Sequence, residues 1–474
     1  MTHLSDSLLP NHHHKHCEAE QAQTALFRAL PIARVQDFFR SSPNEKRQSS
    51  FVRLVLIVFR AGGNLKILEQ LERESKIATK AFYRGTHRTR DPIETFADYK
   101  RFMPMMGITR LANITGLDYL GIPVWQAIRP NSRVLALAQG KGTSHEASKV
   151  SALMECIEGW HAERPDLPLK YDSYDAMRRA RNTINVESLH QRRPGTPRKD
   201  LVRLWTEAWD LIQQKPIWVP LKRVTNTFTE PRDEIFRSDS NGLASGNTFG
   251  EAIVHAVCEL IERDAWTMWR LNRDDPDGKK SQVDLDTVQN QECRATISRL
   301  RDAGQIVAAY DMTSDVGIPV YSAVTSDRPG SYRAMGHFWG MGCHLDPAVA
   351  LSRALTEAAQ SRLTDISGAR DDIDEEIVFE RSNDDELREV EYMINNPPPP
   401  LKFERPSCAA ASPIEDLEIL VAALRKVGIE SLAVVSMARE DVGIPVVKVV
   451  PTDLEGYHCA PNSRARKYLG EAQS

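Results

Sequence analysis

The sequence predicts a mixed core of helices and strands, α+β or α/β, assembled from repeated strand–helix units. Three observations carry this reading. The strings Gly121-Ile-Pro-Val124, Gly317-Ile-Pro-Val320 and Gly443-Ile-Pro-Val446 each open a β-branched or aromatic run, and Pro216-Ile-Trp-Val-Pro220 is a related run. Proline suits a strand start, where its missing N–H costs the ladder little. Acidic amphipathic stretches then follow three of these runs at similar distances: Pro123 to Glu155 is 32 residues, Pro220 to Glu259 is 39 and Pro319 to Glu357 is 38. Such blocks in series are the pattern of a core with internal pseudo-repetition.

Taken in order, residues 1–80 form a polar and helical N-terminal extension. His12, His13, His14, His16 and Cys17 read as a solvated tail rather than a metal site, and Phe51 to Lys76 as one or two helices. Residues 81–370 hold the repeated core. Residues 371–412 are a connector, heavily acidic from Asp371 to Glu389 and stiffened by Pro397 to Pro400. In residues 413–474, a helix over Pro413 to Lys426 and two strands within Ser431 to Val450 close the same core.

Composition excludes several classes. A net charge of −4 offers no general attraction to nucleic acid or membrane, so an anionic ligand needs local cations. The longest apolar run, Phe51 to Phe59, contains Arg53 and is too short for a bilayer crossing. The N-terminus lacks an apolar signal core. Seven cysteines without a CxxC pair read as reduced thiols, which predicts a cytoplasmic protein. Cys156 and Cys258 fall in apolar helical patterns and read as core.

The chemistry lies in three helices. The first carries Ser151, Glu155 and Glu158, the two glutamates sharing a face at three-residue spacing. Upstream, a strand-like run Val134 to Ala138 ends in Gln139-Gly-Lys-Gly142, read as a turn whose amides approach an anion while Lys141 supplies a cation. It lacks the P-loop spacing. The second helix follows Ser240-Asn-Gly-Leu-Ala-Ser-Gly, and Asn247, Glu251, His255, Glu259 and Glu262 form one polar stripe opposite Ile253, Val257, Leu260 and Ile261. A Gly- and Ser-rich approach to a helix N-terminus favours phosphate, and Arg263 adds a cation. On the third helix, Asp346 to Thr364, Glu357 and Gln360 share a face, and Arg362 reaches toward it by its length.

A single such helix is an ordinary solvated face. These stripes instead mix Glu with Asn, Gln and Arg, and follow glycine-rich or strand-end segments. Hard oxygen ligands suit Mg2+, whose phosphates need Lys and Arg nearby. Without a metal, carboxylates around one cavity would repel one another.

Together these strings resemble the YcaO family, ATP-dependent enzymes that modify peptide backbone amides. The resemblance runs through about residues 80–370 and more loosely through 410–465. It departs where Glu158 is followed by Gly159 instead of the family's arginine. It implies a YcaO-type core, with ATP and Mg2+ as cofactors. Glu155, Glu158, Glu259 and Glu262 would hold the metal, and Lys141, Ser151, Ser240, Asn247, Glu251, Arg263, Glu357, Gln360 and Arg362 the nucleotide. No catalytic base is identified; His255 is a candidate, more simply read as bonded to a neighbouring glutamate.

Gly85-Thr-His-Arg-Thr89, Gly107-Ile-Thr-Arg110, Thr115-Gly-Leu-Asp118, Arg129-Pro-Asn-Ser132 and Val446 to Gly456 resemble the branch that works with a TfuA partner. The chain end, Tyr468 to Ser474, lacks the proline-rich tail of azoline-forming members. The resemblance therefore implies thioamide formation in a ribosomally made peptide or protein, with a TfuA-like partner and a sulfur donor; a homodimer is compatible with it. The alternatives are an azoline-forming cyclodehydratase, a non-catalytic accessory, and an amide-forming ATP ligase.

Overall fold

A computed structural model describes residues 65–456 and Arg464, apart from 84, 190–196, 228–235, 237, 272–280, 329–334, 371, 374–387, 389, 392–393 and 395–399. These residues belong to the second of two units, Arg60–Ser474. The His-rich segment, the Phe51–Phe59 run, most of the acidic and proline-rich connector and the chain end lie outside the described residues.

Helix α1 (Leu65–Ser75) is followed by a short ribbon of Ala81–Phe82 with His87–Arg88, then α2 (Pro92–Tyr99). The first strand–helix unit is β1 (Arg110–Asn113), β2 (Val124–Ile128), β3 (Leu137–Lys141) and α3 (His145–Glu163). The middle region holds β4 (Leu169–Ser173), β5 (Val202–Asp210), β6 (Lys215–Pro220), β7 (Leu243–Ser245) and α4 (Phe249–Leu271). Next come α5 (Gln291–Asp302), β8 (Ile306–Asp311), β9 (Val320–Ser326), β10 (His337–Cys343) and α6 (Pro347–Ser367). Helix α7 (Pro413–Lys426), β11 (Leu432–Ser436) and β12 (Val446–Pro451) complete the fold.

Strands β1–β2–β3 and β8–β9–β10 are antiparallel meanders. A six-stranded sheet runs β4-β5-β11-β12-β7, with β6 also on β5. Pairing between these strands is antiparallel throughout, so the fold is α+β rather than α/β. Each GIPV string opens β2, β9 or β12, and its glycine takes a left-handed conformation (φ 68°, 79° and 71°) that a β-carbon would disfavour.

The strand–helix offsets need one correction. The Pro216–Pro220 run forms β6 and does not pair with the strand leading into α4. That strand, β7, pairs with β12, which arrives from the C-terminal segment carrying the third GIPV. Corrected in this way, the repeat has one register. Val124 pairs with Lys141, Val446 with Ser245 and Val320 with Cys343. Three residues after each of those partners stands a capping side chain: Ser144 accepts from Ala147 N, Thr248 from Glu251 N and Asp346 from Ala348 N.

Glycine packs the helices tightly onto their strands. A β-carbon on Gly140 would lie 2.1 Å from Ala152 N, and one on Gly342 would lie 2.0 Å from Ala350 O. Gln139–Lys141 is therefore the end of β3 pressed against α3, and not an anion-binding turn beyond the strand. Apolar residues of α3, the six-stranded sheet and the C-terminal strands share one core, including Ile157, Trp160, Trp205 and Val446. A second core joins α5 and α6 to the third sheet through Leu300, Tyr321 and Leu355.

Helix α1 belongs with this architecture and not with a separable extension ending at residue 80. Ile67 is buried, Glu74 bonds the first turn of α4, and Lys80 forms an ion pair with Asp416 of α7.

Candidate active site

The shared register places chemistry at matching positions of three helices. Fourteen residues beyond Lys141, Ser245 and Cys343 stand Glu155, Glu259 and Glu357; seventeen beyond stand Glu158, Glu262 and Gln360. All six line one cavity of about 280 Å3, together with Ser151, His255 and Arg353, which also match in register. Lys141, Asn247, Glu251 and Arg263 line it as well. Arg88, Arg90, Thr95 and Ser245 add to the polar wall.

The acidic groups are unequally compensated. Lys141 Nζ donates to Glu357 at 2.6 Å; burial pushes the Glu357 carboxyl up, but Lys141 and then Arg263 outweigh it and hold it below its ordinary value. Glu158 accepts from Ser245 N at 2.8 Å and Ser245 Oγ at 2.7 Å, yet burial pushes it up to about 8. Glu155 accepts from Gln139 N at 3.1 Å and opens onto the cavity, but removal from bulk water raises it to about 7. Burial likewise raises Glu259 to about 7 and raises Glu262, with Arg263 at 4.0 and 3.5 Å only partly offsetting it.

Four carboxylates with raised pKa values, on rigid helices around a polar cavity, are hard oxygen donors in search of positive charge. Among the described residues, no three acidic, imidazole or thiol groups form a ready-made metal cage. Mg2+ retains water and shares its shell with phosphate oxygens, so it takes only part of its shell from carboxylates.

Two expected contacts stand outside the cavity. Ser240 is in the loop before β7, where its carbonyl accepts from Leu243 N. Arg362 is fully buried and bonds Asp118 at 3.0 Å and Asp327 at 2.6 Å, so it ties the third helix to neighbouring loops. Glu251 lines the cavity but is occupied by Asn247 N at 2.8 Å, Asn247 Nδ2 at 3.1 Å and the amide of Thr89. It clamps the 85–90 segment onto the start of α4. His255 bonds Arg353, not a glutamate: Arg353 donates to Nε2 at 2.9 Å, which leaves that nitrogen no free lone pair for a proton.

Arg88, Arg90 and Arg353 are absent from the sequence expectation. Arg353 had a signal, because it occupies the same register as Ser151 and His255. Arg88 and Arg90 lie far upstream, and the clamp that fixes them is visible only in three dimensions.

A family model described as YcaO cyclodehydratase, ATP- and Mg2+-binding, matches residues 139–455. An uncharacterized protein of Methanothermobacter thermautotrophicus is 33% identical over 385 residues, covering 79% of this chain and 97% of its own length. An uncharacterized protein in the tfuA 3′ region of Rhizobium leguminosarum bv. trifolii is also 33% identical, covering 81% of this chain and 93% of its own. Among solved structures, YcaO from Methanopyrus kandleri bound with AMPPCP and Mg2+ shares the fold at a TM-score of 0.63 and 22% identity. The match covers 79% of this chain and 93% of that one. Among the described residues, no helix is long and apolar enough to cross a membrane.

Proposed function

Since this chain belongs to the YcaO family, we propose that it uses ATP to make a peptide backbone amide oxygen a leaving group, and that sulfur replaces it to give a thioamide. The observation that carries the ATP half is the convergence of Glu155, Glu259 and Glu357, from three helices in one register, on a cavity also lined by Lys141, Arg263 and Arg353. Glu155, Glu158, Glu259 and Glu262 would hold Mg2+, and Lys141, Ser151, Asn247, Arg263, Arg353 and Gln360 would face the nucleotide.

Bound Mg2+ and ATP supply the phosphoryl group and the charge that lets the closely set carboxylates ionise. The chain's own residues position and stabilise. The Ser245 amide and hydroxyl orient Glu158, and the Gln139 amide orients Glu155. The Lys141–Glu357 pair sets a cation at the cavity wall. Arg88 and Arg353 line the same cavity and would offer donors to negative charge developing on the amide oxygen, which preorganised sites stabilise more than water does. Rigid placement also removes much of the entropic barrier to bringing nucleophile and amide together.

The thioamide half is supported by the relative in a tfuA 3′ region and by the strings that resemble the TfuA-associated branch. It brings a TfuA-like partner and a sulfur donor into the proposal. One specific observation favours a second reading: the matching family model is described as a cyclodehydratase, whose nucleophile would be a side chain of the peptide itself. Intact-mass analysis of peptide incubated with enzyme, partner, ATP and sulfide separates them, because oxygen-to-sulfur exchange adds about 16 Da per site and loss of water removes about 18 Da. Dehydrated peptide without sulfur gain would overturn the thioamide reading.

A further inference from the structure

Strand β7 is only three residues long, Leu243–Ser245, and lies at the edge of the six-stranded sheet against β12. A ladder this short specifies its own register weakly. Yet the register decides the site: Ser245, opposite Val446, gives Glu158 both its N–H and its hydroxyl. A one-residue slip would move the strand by about 3.3 Å and turn the serine side chain to the other face, removing both bonds.

Lys448 stands opposite Leu243 in β12, a buried ammonium within the otherwise apolar run Val446-Val-Lys-Val-Val450. Burial pushes its pKa down, and Asp239 opposes the shift. Its Nζ donates to the carbonyls of Asp239 at 2.6 Å and Asn241 at 2.8 Å, and to Asp239 Oδ1 at 3.4 Å. These three acceptors match the three donors of an ammonium, and all belong to the turn that feeds β7. The Asp239 carboxylate is itself fixed, by Arg223 at 2.9 Å and Asn241 N at 3.1 Å. Next in the turn, Gly242 takes a left-handed conformation (φ 76°), and a β-carbon there would lie 2.6 Å from Val449 O. An apolar side chain opposite Leu243 would avoid the cost of burying a charge, but it could not gather these oxygens.

We propose that Lys448 is a positioning residue for the metal site: by holding the turn at 239–241 against β12 it fixes the register of β7, and with it the two donors that Ser245 offers Glu158. This rests on the reading of Glu158 as a Mg2+ ligand. Lys448 is not among the residues that line the cavity, so it acts through the strand and not on the nucleotide. Partners behind a ligand orient it and thereby set its affinity for metal.

Phosphate release by the full chain, titrated with Mg2+ at fixed ATP, tests this. Lys448→Met should raise the Mg2+ concentration for half-maximal rate about tenfold, with the KM for ATP at saturating Mg2+ close to wild type. Asp239→Asn, which keeps the side-chain shape and both carbonyl acceptors, should shift it in the same direction by less, and it reads the same turn if Lys448→Met does not fold. Ser245→Ala should raise the Mg2+ requirement too, and adding it to Lys448→Met should raise it little further, because both act on one ligand. Fully additive effects would overturn the proposal. So would an equal shift in Arg362→Ala, whose lost ion pairs lie elsewhere and which should keep the wild-type Mg2+ requirement. An unchanged requirement in folded Lys448→Met beside a raised one in Glu158→Gln would overturn the positioning role and leave the metal reading intact. An unchanged requirement in both would overturn Glu158 as a ligand as well.

Discussion

The two carboxylate oxygens of Glu74 accept the backbone N–H groups of Phe249 and Gly250, each at 2.8 Å, so a residue 175 positions upstream caps the helix that carries Glu259 and Glu262. The cap satisfies donors that a helix N-terminus otherwise leaves open.

Glu74→Ala should therefore cost about 0.5–2 kcal/mol, as loss of a helix cap commonly does. It should also weaken nucleotide binding, because α4 bears two of the acidic side chains. A chain shortened through residue 80 loses Glu74 and the Lys80–Asp416 pair together, and should be less stable still. Urea unfolding of the two variants checks this; unchanged midpoints would mean that α1 merely rests on the surface.

Glu259→Gln and Glu262→Gln should abolish ATP turnover while the fold survives, since losing a metal ligand commonly costs several kcal/mol of transition-state stabilisation. Circular dichroism and phosphate release, measured together, separate the two effects. ATP hydrolysis at the wild-type rate in the folded double variant would remove these glutamates from the metal site.

The raised values of Glu155, Glu158 and Glu259 set a pH dependence with a definite sign. In the unfolded chain these groups lose protons near an ordinary value of about 4.3. The ligand-free fold keeps them protonated up to about 7 to 8, so stability is present at low pH and declines as pH rises through that window. Mg2+ with nucleotide displaces those protons. Thermal stabilisation by Mg2+ and AMPPCP should accordingly be larger at the top of the window than below it, and calorimetry in buffers of different ionisation enthalpy should register proton release. Proton uptake on binding would contradict the assignment.

Arg362 is expected to behave as a structural residue. Its removal leaves Asp118 and Asp327 buried without their cation, and breaking a buried pair in this way costs about 3–5 kcal/mol. Arg362→Ala should lower the melting temperature sharply, and a permissive-temperature assay should find the KM for ATP close to wild type. A stable variant with a greatly raised KM would return Arg362 to the nucleotide site.

The contrast between Arg362 and Glu357 marks how far the sequence could be read. Spacing on one helix identified Glu357 and Gln360 as cavity-facing, because a 3.6-residue period fixes a face. It could not tell that Arg362, slightly off that face, is consumed by two aspartates 244 and 35 residues upstream. The GIPV strings were legible as strand openings because glycine and proline constrain the backbone locally. Which strand borders α4 was not, since β12 reaches it from the far end of the chain. Gly140 had a local explanation as a turn and a tertiary one as a contact surface for Ala152, and the tertiary one holds. Arg88 depends on a clamp between Thr89 and Glu251, 162 residues apart.

The proposed function turns on phosphorylation of the amide oxygen itself. Substrate peptide carrying a heavy-oxygen label at the modified carbonyl, incubated with enzyme, its partner, ATP and sulfide, tests this directly. The label should appear in inorganic phosphate, one atom for each amide modified. Unlabelled phosphate released alongside modified peptide would contradict it.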